Sequence, residues 1–226
     1  MSPRLLSIDV AQDCRVSSLF LQPERARACY VFAHGAGVGM EHPSMSSVAG
    51  DLAERGIATL RYQFPYMERG SKRPDAPGLC HATVRAATAR AAELAPRLPL
   101  IAGGRSFGGR MTSQAQAANP LPGVKGLVFL AFPLHPAKRP SVERAQHLSC
   151  VRVPMLFVQG ARDPLAEPRL LDSVIEGLGE RATLKWLEEA DHSFHVRARA
   201  ERTQSDVRAE AMNAILAWTE GLVREA

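Results

Sequence analysis

The sequence contains no uninterrupted apolar run of the roughly 18 residues that a membrane-crossing helix requires. Its first residues, Met1-Ser2-Pro3-Arg4, carry no apolar signal-peptide core, so the expectation is a cytoplasmic protein with no membrane partner. Cysteine is scarce: Cys14, Cys29, Cys80 and Cys150 form no C-x-x-C and have no histidine at metal-ligand spacing. They read as structural thiols, and neither a metal nor an organic cofactor is expected. Clustered positive charge is also missing. The formal charge of +5 comes from 28 basic and 23 acidic residues, and the basic ones are almost all arginine. A nucleic-acid binder would gather them on one face. Here they are spread along the chain, as at Arg55, Arg90, Arg144 and Arg208, so they read as solvated surface, no nucleic-acid partner is expected, and an anionic substrate stays open. There is no internal repeat, low-complexity tail or linker, and 226 residues at 46% hydrophobic content suffice for one core. A single domain over residues 1–226 is expected.

What the chain does have is alternation of strand-like and helix-like segments. Residues 5–10 and 15–21 mix apolar and polar positions around Gln12-Asp13 and read as an antiparallel hairpin. The run 29–33 is a buried strand, and 43–55 a helix with Met45, Val48, Ala49 and Leu52 at helical spacing, stopped by Gly56. Residues 57–62 form the next strand, and 63–78 a long loop rich in proline and charge, of a length that is usually functional or mobile. A helix over 79–94, a strand over 98–102 and a helix over 107–118 follow, then strands at 124–131 and 153–159. A helix over 168–175 begins on Pro168 and has Gly177 past its end. A last strand at 183–187 and a helix from about residue 204, with Val207, Ala211, Ile215, Trp218 and Leu222 on one face, complete the chain. The pattern predicts an α/β fold: an eight-stranded, mostly parallel, doubly wound sheet with an antiparallel N-terminal hairpin and helices on both faces. Only about 20 residues separate the strands at 124–131 and 153–159, too few for a large lid.

The stretch Gly103-Gly104-Arg105-Ser106-Phe107-Gly108-Gly109-Arg110 stands between the strand at 98–102 and the helix at 107–118. A serine there, with glycines two places to either side, has the form of a nucleophile elbow. Gly104 and Gly108 let strand and helix approach while the serine hydroxyl projects from a strained turn. The motif is short and recurs by chance, so the positions of its partners decide.

In a parallel sheet, residues that leave the C-terminal ends of strands gather along one edge, where ligands bind. Ser106, Asp163 and His192 each follow a separate strand, 57 and 29 residues apart, in the order nucleophile, acid, base. A serine hydroxyl needs a base to take its proton, and a carboxylate on the other ring nitrogen fixes the tautomer of that base. His195 is a rival base and Glu167 a rival acid. The oxyanion of a tetrahedral intermediate wants two preset N–H donors. The Phe107 N–H is the first; the second is the Ala36 N–H in the loop His34-Gly35-Ala36-Gly37, with Gly37 as fallback. His34 reads as a residue that shapes this loop, and Asp191 as support for the turn that carries His192.

These residues resemble the α/β-hydrolase superfamily: His34-Gly35-Ala36-Gly37, the elbow from Gly104 to Gly108, Gly160-Ala161-Arg162-Asp163, and Ala190-Asp191-His192-Ser193-Phe194. The resemblance spans nearly the whole chain. Within that superfamily the chain is similar to the small, lidless, dienelactone-hydrolase-like branch. Phe64-Pro65-Tyr66, Arg73-Pro74-Asp75 and Pro133-Leu134-His135-Pro136 further resemble predicted hydrolases related to the hydrolase-like domain of an NSL chromatin-complex subunit. Dienelactone hydrolases use a cysteine nucleophile whereas position 106 is serine, so the resemblance implies an esterase-type mechanism and not their enol-lactone chemistry. The expectation is a serine hydrolase acting on a small ester or thioester. A non-catalytic binding protein on the same fold, or a peptidase or acyltransferase with the same triad, are the alternatives.

Gly37, Met40, Phe64, Tyr66, Met67, Phe132 and His135 follow strand ends and are candidate pocket walls, with core packing or a solvated loop as the competing reading for individual residues. Arg105 and Arg110 flank the elbow and suit a substrate carboxylate or phosphate, although arginines in such places often pair with surface acids.

Overall fold

Successive side chains of each strand point to opposite faces, and this divides the interior into two cores. In the computed structural model, which describes residues 1–224, the strands are β1 (Arg4–Ala11), β2 (Cys14–Leu21), β3 (Ala28–Ala33), β4 (Ile57–Tyr62), β5 (Leu100–Arg105), β6 (Val124–Leu130), β7 (Met155–Gly160) and β8 (Ala182–Leu187). Residues 225 and 226, which the expected domain span included, lie outside the described residues. The strands form one sheet in the order β1-β2-β4-β3-β5-β6-β7-β8. β2 pairs antiparallel with β1 and with β4, and the remaining neighbours pair in parallel. Among the described residues β2 is therefore the one strand that runs against the rest.

The helices are α1 (Pro43–Glu54), the single turn α2 (Pro65–Glu68), α3 (Pro77–Leu94), α4 (Phe107–Ala118), α5 (Pro168–Leu178) and α6 (Gln204–Arg224). Cys29, Val31 and Ala33 of β3 and Leu127 and Phe129 of β6 enter the core closed by Val84 of α3, Met111 of α4 and Leu171 of α5. Their neighbours Tyr30, Phe32, Val128 and Leu130 enter the other, closed by Met45 and Leu52 of α1 and Met212 and Ile215 of α6. Each fully buried Leu, Phe or Met contributes about 1.5–3 kcal/mol relative to exposure. The expected eight-stranded sheet, N-terminal hairpin and helix-covered faces are all present. Among the described residues no helix is long and apolar enough to cross a membrane.

Four segments differ from the sequence reading by more than one residue. β5 covers Leu100–Arg105, not 98–102, because Gly103 and Gly104 stay in the ladder, opposite Val128 and Phe129 on one side and Phe32 and Ala33 on the other. β7 starts at Met155, after Pro154, which has no N–H to give a ladder. α5 runs beyond 175 and past Gly177 to bury Leu178, and ends at Gly179 with φ 61. The segment 63–78 is no open loop: it contains α2 and the start of α3, and the Tyr66 N–H donates to Asp75 Oδ2 at 2.7 Å. Residues 131–154 hold one 3-10 helix, Glu143–Cys150, and no large lid.

Candidate active site

β5, β7 and β8 are parallel, so their C-terminal ends share one edge. Ser106 leaves the end of β5, Asp163 follows β7, and His192 follows β8. Ser106 sits at φ 49, ψ −115, a region that costs an L-residue on the order of 1–3 kcal/mol. The surrounding packing enforces it. A Cβ on Gly104 would lie 2.5 Å from the Ala33 carbonyl oxygen, and one on Gly108 would lie 2.5 Å from that of His34. Only with glycine at both places can the end of β3 lie against the elbow.

The Ser106 Oγ is 2.8 Å from His192 Nε2, and His192 Nδ1 is 2.6 Å from Asp163 Oδ2. The Asp163 side chain has no solvent exposure, whereas that of His192 is 24% exposed. A buried carboxylate needs donors on both oxygens. Oδ1 accepts from the Leu165 N–H at 2.8 Å, and Oδ2 also accepts from Gln159 Nε2 at 2.6 Å. Asp191 holds the turn that carries His192: its Oδ1 accepts from the N–H groups of Ser193 and His195 at 2.7 and 2.9 Å. His195 points outward, its side chain 59% exposed. Glu167 is exposed at the start of α5 and meets neither histidine of that turn.

His34 fixes the neighbouring loop. It is fully buried, its Nδ1–H donates to the Gly35 carbonyl at 2.8 Å, and its Nε2 accepts from the Phe64 N–H at 3.0 Å. Burial pushes its pKa down to about 4, against a smaller opposing effect of the Gly35 carbonyl, which keeps the ring neutral and Nε2 an acceptor. A trans peptide is planar, with C=O and N–H on opposite sides. Because the Gly35 carbonyl is turned toward His34, the Ala36 N–H is turned away from it. Neither this N–H nor that of Phe107, at the first position of α4, donates to a protein acceptor among the described residues.

Ala36, Ser106 and Phe107 line one cavity of about 410 Å³. Pro74, Asp75 and Pro77 form one wall, Pro133 and Leu165 another, and Arg110, Met111 and Arg144 a third. The expected pocket walls lie elsewhere. Met40, Phe64, Tyr66 and Phe132 are buried, and the three rings pack into the hydrophobic core beneath the loops. Gly37, at φ 77, is on the exposed crest of its loop. His135 is buried: its Nδ1–H donates to the Pro136 carbonyl and its Nε2 accepts from the Glu167 N–H, both at 2.9 Å, so it ties two loops together. Arg105 turns to the opposite face, where it donates to the His192 carbonyl at 3.4 Å and lies 5.7 Å over the Phe194 ring. Burial holds the pKa of this guanidinium below its ordinary value, against the opposing charges of Asp191 and Asp163.

Gln159 and Arg144 are among the residues here that the sequence reading did not single out for the site. A lone amide ending the apolar run Met155-Leu156-Phe157-Val158 was a usable signal for the first. Arg144 carries none, since nothing in its surroundings marks the 3-10 helix that turns it inward.

A family model described as an alpha/beta hydrolase domain matches residues 26–220. Among solved structures, an alpha-beta serine hydrolase homologue from Coxiella burnetii superposes with TM-score 0.75 at 17% identity, covering 95% of this chain and 98% of that one. A dienelactone hydrolase from Anabaena variabilis gives 0.73 at 21% identity, covering 96% and 99%. An α/β serine hydrolase without lid from Xanthomonas campestris gives 0.72 at 22%, covering 96% and 95%. At these identities the structures speak for the shared fold. With the family match spanning most of its length, the chain belongs to the alpha/beta hydrolase domain family.

Proposed function

We propose that the protein is a serine hydrolase, one domain that cleaves a small carboxylic ester or thioester through an acyl-enzyme. The observation that carries this reading is the unbroken relay from Ser106 Oγ to His192 Nε2 at 2.8 Å and from His192 Nδ1 to Asp163 Oδ2 at 2.6 Å. His192 takes the hydroxyl proton as Ser106 Oγ attacks the carbonyl carbon, and Asp163 stabilises the imidazolium that forms. The carbonyl electrons move onto oxygen, which the N–H groups of Phe107 and Ala36 receive; losing one such donor typically costs about 2.7–4 kcal/mol in the barrier. The intermediate collapses, the alcohol or thiol leaves with the proton from His192, and an acyl-Ser106 ester remains. Water then attacks that ester with His192 as base, releasing the acid and restoring the serine.

The intact relay disfavours a binding protein that has only kept the fold. The test is intact-mass labelling of the protein and its Ser106→Ala variant with a fluorophosphonate, with p-nitrophenyl acetate turnover alongside. A single adduct, lost together with turnover in the variant, is expected. Folded protein that takes no adduct, or a variant that labels equally, overturns the reading. Turnover of matched esters, thioesters and peptides then separates an esterase or thioesterase from a peptidase.

A further inference from the structure

Two arginines face the cavity at Ser106 without an acid to pair with. Arg110 lies one helical turn after Ser106 on α4, its guanidinium 5.9 Å over the Phe107 ring. Its Nε is buried with no acceptor. Arg144 reaches the same cavity from the 3-10 helix Glu143–Cys150, which packs inward through Ala145 and Leu148. Among the described residues neither arginine takes part in an ion pair. The one carboxylate in the cavity wall, Asp75, is already engaged, by Arg69 at 2.5 Å and by the Tyr66 N–H at 2.7 Å.

The other titratable groups beside Arg110 supply no negative charge. Burial, and then Asp75, push the Cys80 thiol up to about 11, so it is neutral. Burial, and then Arg110 and His81, push His147 down to about 4, and its Nε2 is 2.7 Å from Ser113 Oγ. Burial and the charge of Arg144 together hold the Arg110 guanidinium below its ordinary range. Two like charges turned toward one partly desolvated cavity repel, and an oxyanion between them would relieve both. Guanidinium groups are the side chains best matched to carboxylate and phosphate.

We propose that Arg110 and Arg144 form an anion subsite, so that the substrate is an ester or thioester bearing a carboxylate or phosphate away from the scissile carbonyl. The inference rests on the serine-hydrolase reading and narrows its substrate class. A cavity of about 410 Å³ is of the size that holds a small ligand. Charge-assisted contacts of this kind change affinity roughly 10- to 100-fold.

The test compares mono(4-nitrophenyl) adipate, which ends in a carboxylate, with 4-nitrophenyl hexanoate, which ends in a methyl group. The adipate ester is expected to have the higher kcat/KM by at least about tenfold, mostly through KM. That ratio is expected to collapse in Arg144→Gln and to survive in part in Arg144→Lys, with thermal melting to verify that both fold. Equal kcat/KM for the two esters in the wild-type protein overturns the proposal. Binding is read separately by calorimetry on the Ser106→Ala protein, which forms no acyl-enzyme. Arg144-dependent binding of the adipate ester in a protein whose wild type hydrolyses neither ester would sink the hydrolase reading and leave the subsite standing. Binding unchanged by Arg144→Gln would sink the subsite. Competition by adipate against competition by inorganic phosphate distinguishes the two anion chemistries.

Discussion

The buried amide of Gln159 donates at 2.6 Å to Oδ2 of Asp163, the same carboxylate oxygen that faces His192 Nδ1. The carboxylate is thus steered from its own strand, four residues upstream. Its orientation depends on that amide as well as on the loop that follows.

Gln159→Leu keeps the volume and removes the donor. A hydrogen bond to a charged group contributes about 1.5–3 kcal/mol, so kcat/KM for p-nitrophenyl acetate should fall roughly 10- to 100-fold, carried by kcat. A change confined to melting temperature would show that Gln159 serves only the core.

His34 makes stability depend on pH. Its folded pKa is about 4, below the usual 6.5, so between those values the unfolded chain binds more protons than the native one. Its contribution is complete above pH 6.5 and is lost as pH falls through that window, by up to about 3 kcal/mol. His147, also held at about 4, acts in the same direction, less strongly because it is partly exposed. Urea unfolding of wild type and His34→Gln at pH 7, 5.5 and 4.5 should show the wild type losing stability more steeply toward acid. Parallel curves would remove His34 as the cause.

Gly108→Ala forces a methyl group to within 2.5 Å of the His34 carbonyl oxygen and 2.7 Å of the Ala33 Cβ. Overpacking of this kind costs about 1–3 kcal/mol, which for a chain of this size lowers Tm by roughly 2–12 °C. Fluorophosphonate labelling should slow as well, because the displaced backbone is the one that aims the Ala36 N–H. An unchanged Tm would mean that β3 and the elbow separate without cost.

The backbone strain at Ser106, φ 49, is measurable by comparing two variants that lack the hydroxyl. Ser106→Ala keeps a Cβ in that conformation, whereas Ser106→Gly does not. Gly should be the more stable by about 1 kcal/mol, after its greater unfolded-state entropy is set against relief of the strain. If Ala is the more stable, the elbow is not strained.

Much of this was legible in the sequence because the signals were local. Gly104-Arg105-Ser106-Phe107-Gly108 marks a turn because an apolar run precedes it and a helical pattern follows, and β4 is legible to the residue because Gly56 and Gln63 bracket it. Ser106, Asp163 and His192 could be grouped because parallel strands deliver their C-terminal ends to one edge. The pocket walls were not legible. Phe64, Tyr66 and Phe132 stand at strand ends as a wall residue would, yet whether such a ring faces a cavity or the core is set by the loop folded over it, which depends on contacts distant in sequence. Arg144 is unreadable for the same reason: by sequence it is one of many scattered arginines.

None of the hydrogen bonds that hold Ser106, Asp163 or His192 comes from residues 137–150, the stretch between β6 and β7 that carries Arg144. The hydrogen bonds that align Ser106, Asp163 and His192 are therefore separate from those that hold this stretch, which meets the elbow helix α4 where His147 Nε2 lies 2.7 Å from Ser113 Oγ. Mutation can rewrite this stretch, exchanging a cationic wall for a neutral or acidic one, while the relay keeps its alignment. Divergence among chains of this architecture has an inexpensive route open to it here, in which the chemistry stays fixed and the clientele changes.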